Sequence, residues 1–404
     1  MNNKRVVITG VGVVSSLGIG KEIFWENLFN GRSGFRPITL FDTKDLKVRV
    51  GGEITEFNPK TILGEKGLMD LDRATLLLLS AAKLVIDDAQ LQINPDNEQC
   101  IGVSVGTTFG SLHSISKFDR ESLTEGVRYV NPSIFPSTVG NSPASRISVW
   151  FKIKGFNSTL STGMCAALDA IDYARDFIRL GKIDTIIAGS VEDFAIQTFL
   201  GFYKLNYLSC ESTPFDKRRS GIVFSEGATG LLLQELNSAK KAKAKIYAEV
   251  LGIGSCFDPA RFYKYNPKGD GMKRAMKLAL EDAALKPKDI DCIFANANST
   301  KDADRIETQA IKEVFGEHAK KMPVTAVKSM LGESFSVSGG LATVAAIGAL
   351  NKGLIPATIN YLEKDNDCDL DYVPNKARSA KLSKVMINAF GPNGANTSLI
   401  LGNA

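Results

Sequence analysis

Two stretches of this chain, far apart in sequence, follow the same plan. The first is AKLVIDDAQLQINPDNEQCIGVSVGTTFG from Ala82, and the second is MKLALEDAALKPKDIDCIFANANST from Met276. Each opens as a helix that closes on an acidic pair and an alanine, Asp87-Asp88-Ala89 in one and Glu281-Asp282-Ala283 in the other. A polar turn follows, then a short apolar strand, then a loop of small residues carrying Thr107-Thr108 or Ser299-Thr300. The strand openings also pair, KRVVITGVGVV near the start with KIYAEVLGIGSC near Ile246, and so do the strand exits DTIIAGSVED and KVMINAFGPNG. Helices alternating with buried strands predict a parallel α/β architecture. A repeat this long is not a solenoid period. It predicts two similar halves, residues 1–250 and 251–404, packed about a pseudo-twofold.

At 404 residues the chain is long enough for two such halves sharing a core. No apolar run approaches the roughly 18 residues that a membrane helix needs, so no membrane insertion is expected. The opening MNNKRVVITGVGVV reads as a first strand rather than a signal peptide. The cysteines (Cys100, Cys165, Cys210, Cys256, Cys292, Cys368) form no CxxC pair. That spacing indicates neither a zinc site nor a disulfide framework, and reduced thiols fit a cytoplasmic protein. Nothing in the pattern asks for a metal or a cofactor. The net charge of +5 is spread along the chain, which permits an acidic protein partner and does not argue for nucleic acid. The only histidines are His113 and His318, so a mechanism that needs two clustered histidines is under pressure from the start.

The segment STGMCAALDAI, Ser161 to Ile171, reads as a strand turning sharply into a buried helix. A thiol on such an elbow is a common place for a nucleophile, which makes Cys165 a candidate. The competing reading is a small buried residue packing the elbow, since free cysteine is often buried.

Five motifs, in order along nearly the whole chain, resemble those of the β-ketoacyl-acyl carrier protein synthase family. RVVITGVGVVSSLG resembles the family's opening strand and IGVSVGTTFGSL its glycine-rich loop. PFDKRRSGIVFSEGATGLLLQEL is close to a long family signature, VKSMLGE resembles the lysine-bearing loop, and NAFGPNGANTSLIL resembles the closing strand. The resemblance implies a thiolase-like α/β fold, two similar βαβαβ halves packed as a five-layer αβαβα sandwich. It also implies decarboxylative Claisen condensation by a cysteine that takes an acyl group from an acyl carrier protein. Two histidines then promote loss of CO2 and stabilise the oxygen anion.

Registered on that pattern, the chain departs at each reactive position. KGFNSTLST runs without a gap into the family's elbow, and Ala170-Ile171 returns the same register from the other side. Both flanks put Met164 in the nucleophile slot and Cys165 one residue beyond. One residue on a helix turns a side chain by about 100°, so the two do not share a pocket. Asn298 takes the first histidine slot; its amide donates a hydrogen bond but shuttles no proton. Thr300 keeps the first of two threonines that contact the pantetheine arm in the family, and Asp302 replaces the second. Lys328 is retained, while Glu333 takes the second histidine slot, where an ionised carboxylate accepts hydrogen bonds and repels an enolate. Lys328 then either pairs with Glu333 or another carboxylate, or simply bridges two loops. In the closing loop Phe390, a gate of the acyl pocket in the family, is kept before Gly391, whereas Pro392 fixes φ and stiffens the loop. Ile134 and Phe135 fall in NPSIFPSTVGNSPASRIS, which matches a region at the family's dimer interface.

Within the family, chain-length-factor subunits also lack the nucleophile, and their elbow resembles Ala166-Ala167-Leu168-Asp169-Ala170. That resemblance implies a catalytically silent subunit that shapes the acyl tunnel of an active ketosynthase in a heterodimer, serving polyketide, polyene or fatty-acid biosynthesis. The alternative is an active 3-oxoacyl-acyl carrier protein synthase or acyltransferase using Cys165. The relatives with glutamine at the elbow differ here, where methionine stands.

Overall fold

The structure, a computed structural model, describes residues 4–69, 71–260 and 263–404. Its main strands are β1 (Val6–Ser15), β2 (Ile101–Gly106), β3 (Asn157–Leu160), β4 (Thr185–Glu192) and β5 (Gly227–Glu235) in the first half. The second half contributes β6 (Ala248–Phe257), β7 (Cys292–Phe294), β8 (Val324–Thr325), β9 (Lys384–Phe390) and β10 (Ala395–Gly402). They line up in the order β8-β7-β9-β10-β6-β1-β5-β4-β2-β3. Among the described residues, the strands of the two halves meet through a short antiparallel contact of β1 with β6, Val7 opposite Glu249 and Ile8 opposite Ala248.

Outward from that seam each half repeats one pattern. β1–β5 and β5–β4 are antiparallel, then β4–β2 and β2–β3 are parallel. On the other side β6–β10 and β10–β9 are antiparallel, then β9–β7 and β7–β8 are parallel. The sheets are therefore mixed rather than wholly parallel. The short link from Phe390 to Ala395 explains this locally, because so few residues can only form a hairpin. The expected division at residue 250 falls inside β6, which pairs with β10 over most of its length.

Helices make the remaining layers. Arg73–Asp88 and Ser142–Phe151 cover the outer face of the first half, and Asp270–Asp282 and Lys301–Phe315 that of the second. Between the sheets lie Ala166–Arg179 and Ser336–Lys352, which touch each other and strands of both halves. Ser336 to Leu350 is buried without a break and carries no charge, as expected for a helix enclosed on all sides.

The repeated acidic pair has a structural reason. Asp88 accepts the backbone N–H of Val11 at 2.8 Å, and Asp282 accepts that of Ile253 at 3.0 Å, so each ties its helix to the first strand of its half. A cation completes each site, Lys21 at 2.7 Å from Asp88 and Arg175 against Asp282. The paired glycines act at the same contacts. A Cβ on Gly12 would sit 2.1 Å from the Ala81 carbonyl, and one on Gly254 would sit 2.3 Å from that of Ala275. Only glycine lets the helices come so close.

Candidate functional site

At the elbow, β3 passes into a single 3-10 turn, Gly163–Cys165, and then the central helix Ala166–Arg179. Gly163 has φ 70, and a Cβ there would stand 2.8 Å from Nδ2 of Asn393. Met164 is 8% exposed and packs in a cluster with Phe194, Phe199, Phe224 and Phe335. The Phe335 ring meets Phe202 at 5.0 Å, Phe224 at 5.4 Å and Phe109 edge-on at 5.5 Å between centroids. Phe335 holds φ 51, a left-handed conformation that costs a non-glycine residue on the order of 1–3 kcal/mol. The ring contacts and the hydrogen bond from its N–H to Glu333 hold it there.

Cys165 points elsewhere. It is fully buried in the central core, where Sγ–H donates to the Ala389 carbonyl at 3.0 Å. Burial, and then the charge of Asp169, push the thiol well above its ordinary range, so a thiolate is disfavoured.

Asn298, Lys328 and Glu333 come together in one buried network. Oε2 of Glu333 accepts from Lys328 Nζ at 2.8 Å and from Asn298 Nδ2 at 3.3 Å. Its Oε1 accepts from Ser338 Oγ at 2.7 Å and from the Phe335 N–H at 3.0 Å. Lys328 also donates to Asn296 Oδ1 at 3.1 Å. All three slot residues are at most 5% exposed, so water does not screen the pair. The Asn298 carbonyl oxygen is occupied too, accepting the Thr300 hydroxyl at 2.8 Å. Lys328 thus does more than bridge two loops; it pairs with the buried Glu333 carboxylate.

Two further acids frame the network. Asp304 accepts the Asn298 N–H at 2.9 Å, and burial raises it to about 6. Glu307 accepts the N–H groups of Asn296 and Ala297 at 2.9 and 2.8 Å, and burial raises it to about 7. The Tyr265 hydroxyl donates to the Phe390 carbonyl at 3.2 Å. Burial, followed by the charges of Glu333, Glu307 and Asp304, pushes that phenol well above its ordinary range. Tyr265 and Phe335 escaped the sequence reading. Their signals were the aromatic run FYKY and the bulky ring two residues past Glu333 in LGESF.

The residues expected to form a gate and tunnel lie in different places. Phe390 is fully buried at the end of β9, packed in the core of the second half, and Gly391 closes the turn by donating to Ala395 at 2.9 Å. Ile134 lines a surface cleft of about 910 Å³ between the helix Leu112–Glu125 and the segment after β4. Phe135 beside it is 59% exposed, its ring 6.2 Å from Phe118. Phe194 belongs both to the cluster around Met164 and to the cleft wall, so an aromatic partition separates the two. His113 lines the cleft, and His318 bonds the Ile290 carbonyl at 2.8 Å; neither enters the network.

The N-terminal domain of beta-ketoacyl synthases matches residues 3–239, and the C-terminal domain matches residues 247–362. The chain belongs to the β-ketoacyl synthase family. It is 36% identical to 3-oxoacyl-[acyl-carrier-protein] synthase 2 of Coxiella burnetii, over 99% of each chain. The corresponding synthase of Synechocystis is 35% identical over 99% of this chain and 98% of its own. Among solved structures, the ishigamide ketosynthase/chain length factor matches with a TM-score of 0.94 and 35% identity over the whole of both chains. A type II polyketide ketosynthase in complex with its acyl-carrier protein matches with a TM-score of 0.91 and 27% identity, also over the whole of both. The thiolase-like sandwich expected from the sequence is thus the fold of the chain. Among the described residues, no helix is long and apolar enough to cross a membrane.

Proposed function

We propose that this ketosynthase-like chain is a catalytically silent, chain-length-factor subunit. It pairs with an active ketosynthase in the cytoplasm and shapes that partner's acyl tunnel in polyketide, polyene or fatty-acid synthesis. The observation that carries the reading is the buried Asn298–Glu333–Lys328 network, with Met164 at the elbow. Condensation needs a nucleophile, and donors aimed at a developing oxyanion. Here Asn298 and Lys328 both donate to a carboxylate. Losing one oxyanion donor typically lowers the rate by about 10²–10³, and groups that act together fail together. A methionine thioether forms no acyl thioester. The intact fold and the match to a ketosynthase/chain length factor support a use for the scaffold beyond catalysis.

A second reading, an active synthase using Cys165, draws on the names of the curated relatives. Against it stand the full burial of the thiol and its hydrogen bond to Ala389. Co-expression with a ketosynthase that has its Cys-His-His set tests the proposal. A stable one-to-one heterodimer whose product length changes with substitutions at Ile134 supports it; a homodimer that elongates malonyl carrier protein unaided overturns it.

A further inference from the structure

The segment that links the two halves carries a run of charge that neither the elbow nor the network uses. From Leu236 to Ala248 the sequence is LNSAKKAKAKIYA, with lysines at 240, 241, 243 and 245 and no acid. Lys240 and Lys241 close the helix Leu236–Lys241, where a cation suits the carbonyl end of the dipole. Lys245 rests over the Tyr247 ring, Nζ 4.4 Å from its centre, and keeps its charge there. All four are exposed, and Lys240, Lys241 and Lys243 make no ion pair among the described residues. The acids beside the run are engaged. Lys4 holds Asp184 at 2.7 Å, Arg5 holds Glu249, and Glu235 caps the helix by accepting the Ser238 N–H at 2.8 Å. The terminal carboxylate of Ala404 shares a hollow of about 300 Å³ with Arg5 and Lys240 and opposes one of the positive charges. This face lies away from the elbow. β4 begins beside it, Thr185 opposite Gln234, and reaches Glu192 at the elbow end ~25 Å further on.

The make-up of the run decides what meets it. Protein partners are gripped by aromatic and arginine anchors, and lysine is depleted at the centre of such interfaces. Nucleic acids are gripped by arginine forks and by rings on which bases stack. The run has neither. Its cations are lysines spaced by Ala242 and Ala244, and its one ring, Tyr247, is buried with its hydroxyl on Asp88 at 2.9 Å. Flexible point charges with no shape to read match a diffuse layer of negative headgroups, for which a cluster of four lysines suffices. Among the described residues no helix is fit to cross a membrane, so such contact stays at the surface and yields to salt.

We infer that this face docks on an anionic phospholipid surface and leaves the elbow end turned to solvent. The inference goes beyond the tunnel-shaping reading and does not depend on it. Flotation of the full chain with phosphatidylcholine vesicles, with and without about 30% phosphatidylglycerol, tests it. Wild type should bind the anionic vesicles at least about tenfold more tightly, and lose that preference in about 0.5 M salt. Each lysine at a charged surface is worth about fivefold, so changing Lys240, Lys241, Lys243 and Lys245 to Gln together should abolish the preference. The same four positions changed to Arg keep the charge and should retain it. All four side chains are exposed, so both variants should melt with wild type, which separates lost binding from lost fold. Equal binding to the two kinds of vesicle, an undiminished preference in the glutamine variant, or capture of duplex DNA without vesicles overturns the inference. Failure to form a heterodimer leaves it standing, so the two proposals fail separately.

Discussion

Nζ of Lys328 lies 2.8 Å from Oε2 of Glu333, and both side chains are almost wholly enclosed. A carboxylate in that position is tolerable only because the ammonium, an amide, a hydroxyl and a backbone N–H together replace its water. Removing one partner of a buried pair typically costs about 3–5 kcal/mol, since the other charge is stranded. Lys328→Met and Glu333→Gln should each destabilise by that amount in chemical denaturation. The double variant should cost clearly less than the sum, with a coupling of about 2 kcal/mol. Additive losses would mean that the two side chains do not depend on each other.

The thiols offer a direct check on the elbow. Cys100 and Cys210 are exposed, while Cys165, Cys292 and Cys368 are buried. Iodoacetamide under native conditions should label the exposed pair first and Cys256 more slowly, as read by intact mass and peptide mapping. Cys165 should label only after denaturation. Labelling of Cys165 alongside Cys100 would place its sulfur in an open pocket.

Stability should depend on pH through Glu192, which burial raises from 4.5 to about 7. In that window the folded protein keeps a proton that the unfolded chain has released. Stability therefore falls as pH rises from about 4.5 to about 7, and the deficit is complete above that. Glu192→Gln stays uncharged and keeps the acceptor oxygen. It should be more stable than wild type at about pH 8, by up to roughly 3 kcal/mol, and little different near pH 5. Asp304 and Glu307, raised in the same direction, leave part of the slope in the variant. Parallel stability curves for the two proteins would contradict this assignment.

The two-half architecture was legible because its contacts are local and repeated. Asp88 and Asp282 recur at the same place in the pattern, and so do Gly12 and Gly254, because each pair performs the same packing task in its half. The grouping of Asn298, Lys328 and Glu333 was legible for a different reason, since the motif register singles them out one residue at a time. Strand direction was not, because β5 and β10 differ from parallel strands only in which neighbour they meet. Tyr265 was also hidden, because it reaches the site from a loop remote in sequence. Phe390, singled out in the sequence as the retained gate residue, lies at the end of β9 with its ring in the core of the second half.

The claim of catalytic silence is tested most directly by incubating the purified chain with octanoyl-loaded acyl carrier protein and reading its intact mass. The account predicts no octanoyl adduct, and no condensed product when malonyl carrier protein is added. An adduct on the wild-type chain that disappears in Cys165→Ser would contradict it.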